Sequence, residues 1–239
     1  MKISYISHSG FLVETDSAAL LFDWYKGALP KALHKPLYIF ASHRHGDHYS
    51  KEIFPYGEGF SGTRYILSDD IKLTAADAEA MGLDPALMER ISFVKADETI
   101  TVGNLEISTL GSTDAGVAFV VKVDGKTLFH AGDLNWWLWG DEDTPQEARE
   151  MTDAFLKECE KLRGVEIDVA FLPLDPRQPE DQYWLGLDRY ARTADIKHIF
   201  PMHMWGQYDV IGRFKALDCT APYRDKIKEI TSEDENYEI

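Results

Sequence analysis

Short apolar runs broken by glycine, aspartate or serine recur through most of this chain, which is the signature of strands rather than long helices. Residues 3–23 read as three strands: Ile3 and Tyr5, then Phe11-Leu12-Val13, then Ala19-Leu20-Leu21-Phe22, separated at Ser9-Gly10 and Thr15-Asp16-Ser17. Leu37 to Ala41 and Tyr65 to Leu67 add two more, and Ile91 to Val94 and Thr99 to Val102 alternate in the same way. Gly103-Asn104 and Asp124-Gly125 are hairpin signals. They join Thr99–Val102 to Leu105–Leu110, and Val117–Val121 to Thr127–Phe129. Val165 to Leu174 ends in a continuous apolar run, as expected of a strand covered on both faces. A last strand runs from Ile199 into His203.

Helical spacing is confined to a few places. Thr74 to Met81 is a good helix former stopped by Gly82, and Pro85 to Met88 adds a helical turn. Thr144-Pro145 starts a second helix with a hydroxyl cap and a proline at its first position. Ala148, Met151, Phe155, Cys159 and Leu162 then share one face, which predicts a helix laid on a sheet. Gln182 to Ala191 and Trp205 to Leu217 are expected to be helical as well, and Ser232 to Glu235 to be a solvated acidic tail. No repeat, low-complexity segment or linker divides the chain, so 1–239 is expected to form a single domain.

Charge narrows the partners. Forty-one acidic residues against 25 basic ones give a net charge of −16. Such a surface repels phosphate backbones and acidic lipids, so neither nucleic acid nor membrane is expected as a partner. Cys159 and Cys219 have no metal-ligand spacing and form no disulfide framework. The first residues enter strand-like alternation without an apolar signal core, and no apolar run has membrane-spanning length. A cytoplasmic protein acting on a small molecule is the expectation; its oligomeric state is left open.

The chemistry concentrates in His43-Arg44-His45-Gly46-Asp47-His48, at the point where the 37–41 strand hands over to a loop. Imidazole nitrogen and carboxylate oxygen are natural ligands of zinc and related divalent ions. His43 and His45 can converge on one ion, and Asp47 and His48 can serve a second. Arg44, between ligands, is expected to face away. Two further strand ends carry candidates: Asp133, after Phe129-His130-Ala131-Gly132, and His203. His130 lies an odd number of positions from Asp133 and is expected to be structural. Asp23 reads as a turn carboxylate, and Asp175 as a residue at the site mouth. Trp136, Trp137 and Trp139 are either core or pocket wall, with Trp136 taken as the candidate to touch substrate.

His43-x-His45-x-Asp47-His48, followed by Gly132-Asp133 and His203 in that order, resembles the metallo-β-lactamase superfamily, and its compact lactonase-like members in particular. The resemblance spans about His8 to His203. It implies an α/β fold in four layers, αββα, with two mixed β-sheets flanked by helices and the site at one edge. It also implies a metal-dependent hydrolase, with zinc as the cofactor, one ion or two, or manganese or ferrous iron in its place. A hydroxide on the metal would attack an ester, lactone or phosphoester, since a divalent ion lowers the pKa of bound water from about 15.7 to near 7. Asp133 would bridge the ions, His203 would complete the second site, and Asp47 would be both ligand and catalytic residue. His8 is either a backbone-bonded histidine beside a turn or a contact to ligand or substrate.

One position departs from the pattern. The family's usual third histidine for the first ion falls on Ser112, in Leu110-Gly111-Ser112-Thr113-Asp114. Serine is a poor neutral zinc ligand, and Asp114 two residues later is a candidate replacement, with Ser112 itself left as a candidate to touch a ligand residue or substrate. This departure leaves the number of ions open and sustains a second reading, a non-catalytic metal- or ligand-binding member of the fold. A diiron oxidoreductase is disfavoured, because members of that kind carry glutamate where His45 stands and need a flavin domain. A nuclease is disfavoured by the charge.

Overall fold

Alternation decides where each side chain of the first sheet goes in the computed structural model, which describes residues 1–239. The strands β1 (Lys2–Ser7), β2 (Gly10–Glu14), β3 (Ala19–Phe22), β4 (Leu37–Ala41) and β5 (Arg64–Ser68) each feed two cores. Leu20, Phe22, Tyr38, Phe40 and Ile66 enter a large core, whereas Leu21, Ile39, Tyr65 and Leu67 enter a smaller one on the opposite face. Ile53 and Phe54 of α1 (Ile53–Glu58) and Ala78 of α2 (Ala75–Ala80) close the smaller core. The short α1 was not foreseen; Pro55 and Gly57 inside it are poor helix formers, and its packed face carries it. The sheet continues to β6 (Ile91–Val94), with β3 to β6 parallel and β1 to β3 antiparallel.

The second sheet contains β7 (Thr99–Val102), β8 (Leu105–Gly111), β9 (Val117–Val123), β10 (Lys126–His130), β11 (Glu166–Pro173) and β12 (Asp195–Met202). Its first four strands form an antiparallel meander through the two foreseen hairpins, and β10, β11 and β12 run parallel. Between β10 and β11 lies α3 (Pro145–Glu160), begun by a capping box in which Thr144 and Glu147 bond one another's backbone N–H groups. The crossover from β11 to β12 is α4 (Leu185–Thr193), whose Tyr190 packs on Phe129 and Phe155. Both sheets are mixed, their inner faces share the large core, and helices lie outside: the α/β sandwich that the resemblance implied. At its centre Phe171 meets Phe11, Phe22 and Phe200.

One expectation near the end of the chain is corrected. The helix expected over 205–217 is only α5 (Asp209–Lys215), because Trp205 and Gly206 take left-handed backbone angles of +54° and +74°. Ser232, Glu233 and Asp234 are exposed, as expected of a solvated acidic stretch; Glu235 accepts hydrogen bonds from Thr231 and Ser232, and β13 (Asn236–Glu238) pairs with β1 at the edge of the first sheet. No helix is long and apolar enough to cross a membrane.

Candidate metal centre

Parallel strands from both sheets end at one rim, and every candidate ligand hangs there. Beyond β4 come His43, His45, Asp47 and His48; beyond β10 comes Asp133; beyond β12 comes His203; and the β1–β2 turn supplies His8. Two donor groups result. One contains His43, His45 and Asp133; the other contains His8, Asp47, His48 and His203, and within each group the ligand atoms lie within 4.8 Å of one another. Asp133 joins them. Its Oδ2 is 3.4 Å from His43 Nε2, while its Oδ1 is 3.1 Å from His48 Nε2 and 3.4 Å from His203 Nε2.

The ring nitrogens behind these donors are tied down. His48 Nδ1 is 2.7 Å from Asp23 Oδ2, and His203 Nδ1 is 2.9 Å from Asp175 Oδ2. The Ser42 hydroxyl donates to Asp23 at 2.6 Å, so it must accept from His43 Nδ1 at 3.0 Å. Each of the three imidazoles therefore has a proton on Nδ1 and turns its Nε2 toward Asp133. Carboxylates that orient ligand histidines in this way are a regular feature of metal sites. Asp23 is thus corrected from turn carboxylate to the anchor of two ligands, fully buried and also bonded to Ser42 N at 2.7 Å. In the sequence it looks like any strand-end aspartate; only its placement beside β4 reveals its partners.

A divalent cation fits this donor set. Nε2 of His8, His43, His48 and His203 and Oδ1 of Asp133 are all buried without a hydrogen-bond partner, and all lie in this cluster. Buried polar atoms are seldom left unpaired, so five converging here suit a shared positive partner. Burial pushes the imidazolium form of His8 down to about 4, and burial with the nearby His48 charge lowers that of His43. Both are therefore neutral, the state that binds metal. Burial disfavours charge on His48 too, but Asp133 and Asp23 outweigh it and hold a positive charge there. Burial would likewise protonate Asp133, yet His48 and His203 keep its carboxyl far below the usual range.

Backbone strain gathers at the same rim. Of seven non-glycine residues with positive φ, four are His8, Asp23, His203 and Trp205, and the His203 N–H bonds the His8 carbonyl at 3.2 Å. Such conformations persist only where surroundings enforce them. Gly116 and Gly132 permit the close approach of strands here, since a Cβ on Gly116 would lie 1.9 Å from the Ser42 carbonyl oxygen.

Other candidates fall differently. His8, foreseen as a backbone-bonded residue or a contact to ligand or substrate, stands among the donors. Ser112 belongs to neither donor group and does not line the cavity; its hydroxyl accepts from Asp114 N at 3.2 Å in a local turn. Asp114 Oδ2 lies 3.6 Å from His45 Nδ1 on the exposed rim, beside the first group. Trp136 does not face the cavity: it stacks on Phe155 and donates to Thr152, because α3 covers it. Trp137 and Trp139 line the cavity instead, with Arg177 and Trp205, neither foreseen. Arg44 is exposed, as its position between ligands suggested. His130 is buried against Phe22, with Nε2 2.9 Å from the Ser9 carbonyl.

The family model described as "Beta-lactamase superfamily domain" matches residues 2–143. A metal-dependent hydrolase from Thermococcus kodakarensis is 26% identical over 215 residues, covering 85% of this chain and 84% of its own. Among solved structures, Igni18, described as a novel metallo hydrolase from Ignicoccus hospitalis, superposes with a TM-score of 0.66 at 17% identity, over 100% of this chain and 98% of its own. The metallo-β-lactamase fold protein YhfI from Bacillus subtilis gives 0.65 at 14% identity, over 99% and 98%. At those identities the two structures speak for the fold.

Proposed function

This chain belongs to the beta-lactamase superfamily, and from that membership we propose that it is a metal-dependent hydrolase of small esters, lactones or phosphoesters. The single observation that carries the proposal is Asp133, with one oxygen turned to each of two donor groups. His43, His45 and Asp133 would hold one ion, with Asp114 within reach as a further oxygen donor. His8, Asp47, His48, His203 and Asp133 would hold a second. Nitrogen and oxygen donors without sulfur suit zinc, and also manganese or ferrous iron. When bound, such ions acidify a water toward neutrality and offset the negative charge that develops on the substrate.

The chain's own groups do the rest. Asp47 borders the cavity, and the His8 ring, with Nε2 3.4 Å from Asp47 Oδ2, keeps this carboxyl below the usual range. It stays ionised at neutral pH, so its oxygens accept from a water and aim it, a role that needs no proton storage. Trp137 donates its N–H to the Asp133 carbonyl at 2.9 Å and stands as a dry wall beside that carboxylate. The cavity, about 390 Å³, is near the small end of ligand sites and admits a small molecule. The net charge of −16 disfavours nucleic acid and acidic membrane as partners.

Elemental analysis of purified protein, beside a panel of lactones, carboxylic esters and phosphoesters, tests this reading. Stoichiometric transition metal is expected, and His43→Ala and His48→Ala should each lose metal and lower turnover at least 100-fold. Absence of stoichiometric metal, or turnover unchanged in both variants, would overturn it.

A further inference from the structure

Arg177 is the one arginine or lysine lining the cavity, in a chain whose net charge is −16. Its guanidinium carbon lies 4.3 Å from the ring centre of Trp205 and 5.9 Å from that of Trp139. Indole faces attract cations. Here the chain fills that place with its own cation, so a cationic ligand would have to displace it. The buried Asp175 carboxylate takes Nε, 3.0 Å from each of its oxygens, and Nη2 at 2.6 Å. Nη1 makes no hydrogen bond within the protein, and 45% of the side chain is exposed. One edge of the planar fork is thereby fixed and the other left open, which matches a carboxylate in two parallel hydrogen bonds.

The walls select what carries that carboxylate. Trp137 and Trp139 lie parallel within 2°, their centres 6.0 Å apart. Trp137 spends its N–H on Asp133, and Trp205 spends its own on Asp175 at 3.3 Å. Rings fixed in this way offer rigid faces, and a flat apolar body loses little further freedom on docking against them. We propose that the substrate is a small molecule with a flat apolar body and a free carboxylate, the carboxylate taken by Arg177 and the body lying along Trp137 and Trp139. This deepens the hydrolase reading and rests on it, since the same cavity is taken as the place of bond cleavage.

Calorimetric titration of the metal-loaded protein with 2-naphthoate, 2-naphthamide and 2-naphthylmethylammonium tests the idea. Wild type should bind the naphthoate at least tenfold more tightly than the amide, and the ammonium no better than the amide. Arg177→Met should bring naphthoate within about twofold of the amide. Trp139→Leu should weaken naphthoate and amide alike, by about fivefold. Equal binding of all three probes by wild type would overturn the proposal. So would a naphthoate preference that survives intact in Arg177→Met, because the metal centre would then be the anion's seat. Should Arg177→Met fail to fold, Arg177→Lys decides: it keeps the charge and loses the fork, so an undiminished preference refutes the bidentate clamp and a reduced one supports it. Binding is read without turnover, so failure of every ester, lactone and phosphoester to react would count against hydrolysis alone.

Discussion

Asp23 and Asp175 do the same work on opposite sides of the centre. Each is buried, and each holds an imidazole by Nδ1 so that Nε2 faces inward. Removing such a partner ordinarily costs 10- to 100-fold in metal affinity. Asp23→Asn should therefore weaken zinc binding by roughly that factor, measured by competition with a chromogenic chelator, while circular dichroism stays that of wild type. Asp175 also has a pH signature. Burial works against its charge, but hydrogen bonds from His203 and Arg177 prevail and lower its pKa from the ordinary 3.8 to about 2. A carboxyl depressed on folding stabilises the native state above its unfolded pKa, and that stability disappears as pH falls through the folded value. The contribution at neutral pH is about 2 kcal/mol. In urea titrations of metal-free protein, the gap between wild type and Asp175→Asn should hold steady above about pH 5 and should close between about pH 4 and 2.

Among elements, the junction of β4 and β9 controls the rim. Val117 N donates to the Ser42 carbonyl at 2.9 Å, tying the second sheet to the loop that carries His43. Gly116 allows this, with φ of +68° and no room for a Cβ against Ser42 and His43. Gly116→Ala should cost about 2 kcal/mol from the left-handed backbone alone, and more from the clash. Loss of metal together with a lowered melting temperature is the expected outcome; a variant with wild-type metal content would contradict it.

The strands and the metal stretch were legible because their signals are local: alternation, hairpin dipeptides, and four ligands within six positions. Asp23 was not, because its meaning depends on His48 and Ser42, which reach it only when β3 and β4 pair. Trp136 and Trp137 differ by one position and go to core and cavity, a distinction set by where α3 lies rather than by composition. The helix expected from Trp205 begins only at Asp209, because the site holds Trp205 against His8 and Arg177.

At the scale of the whole molecule, the interface between the sheets supplies the stability that lets the rim be strained. Phe171 sits fully buried among aromatic rings from both sheets. Phe171→Ala should cost about 3–5 kcal/mol, seen as a lower urea midpoint at unchanged slope. The acidic surface lies outside this core, so that loss should persist in 0.5 M salt; surface charge repulsion would be screened there.

His43 and His48 hang from the first sheet while Asp133 and His203 hang from the second, so a cation held between them would rivet one end of the sandwich together. Chelation should loosen that end alone. Amide deuteration after metal removal should speed up around Ser42–His43 and Ala131–Asp133, while the hairpin amides at Val121 and Val123, at the far end of β9, keep their pace.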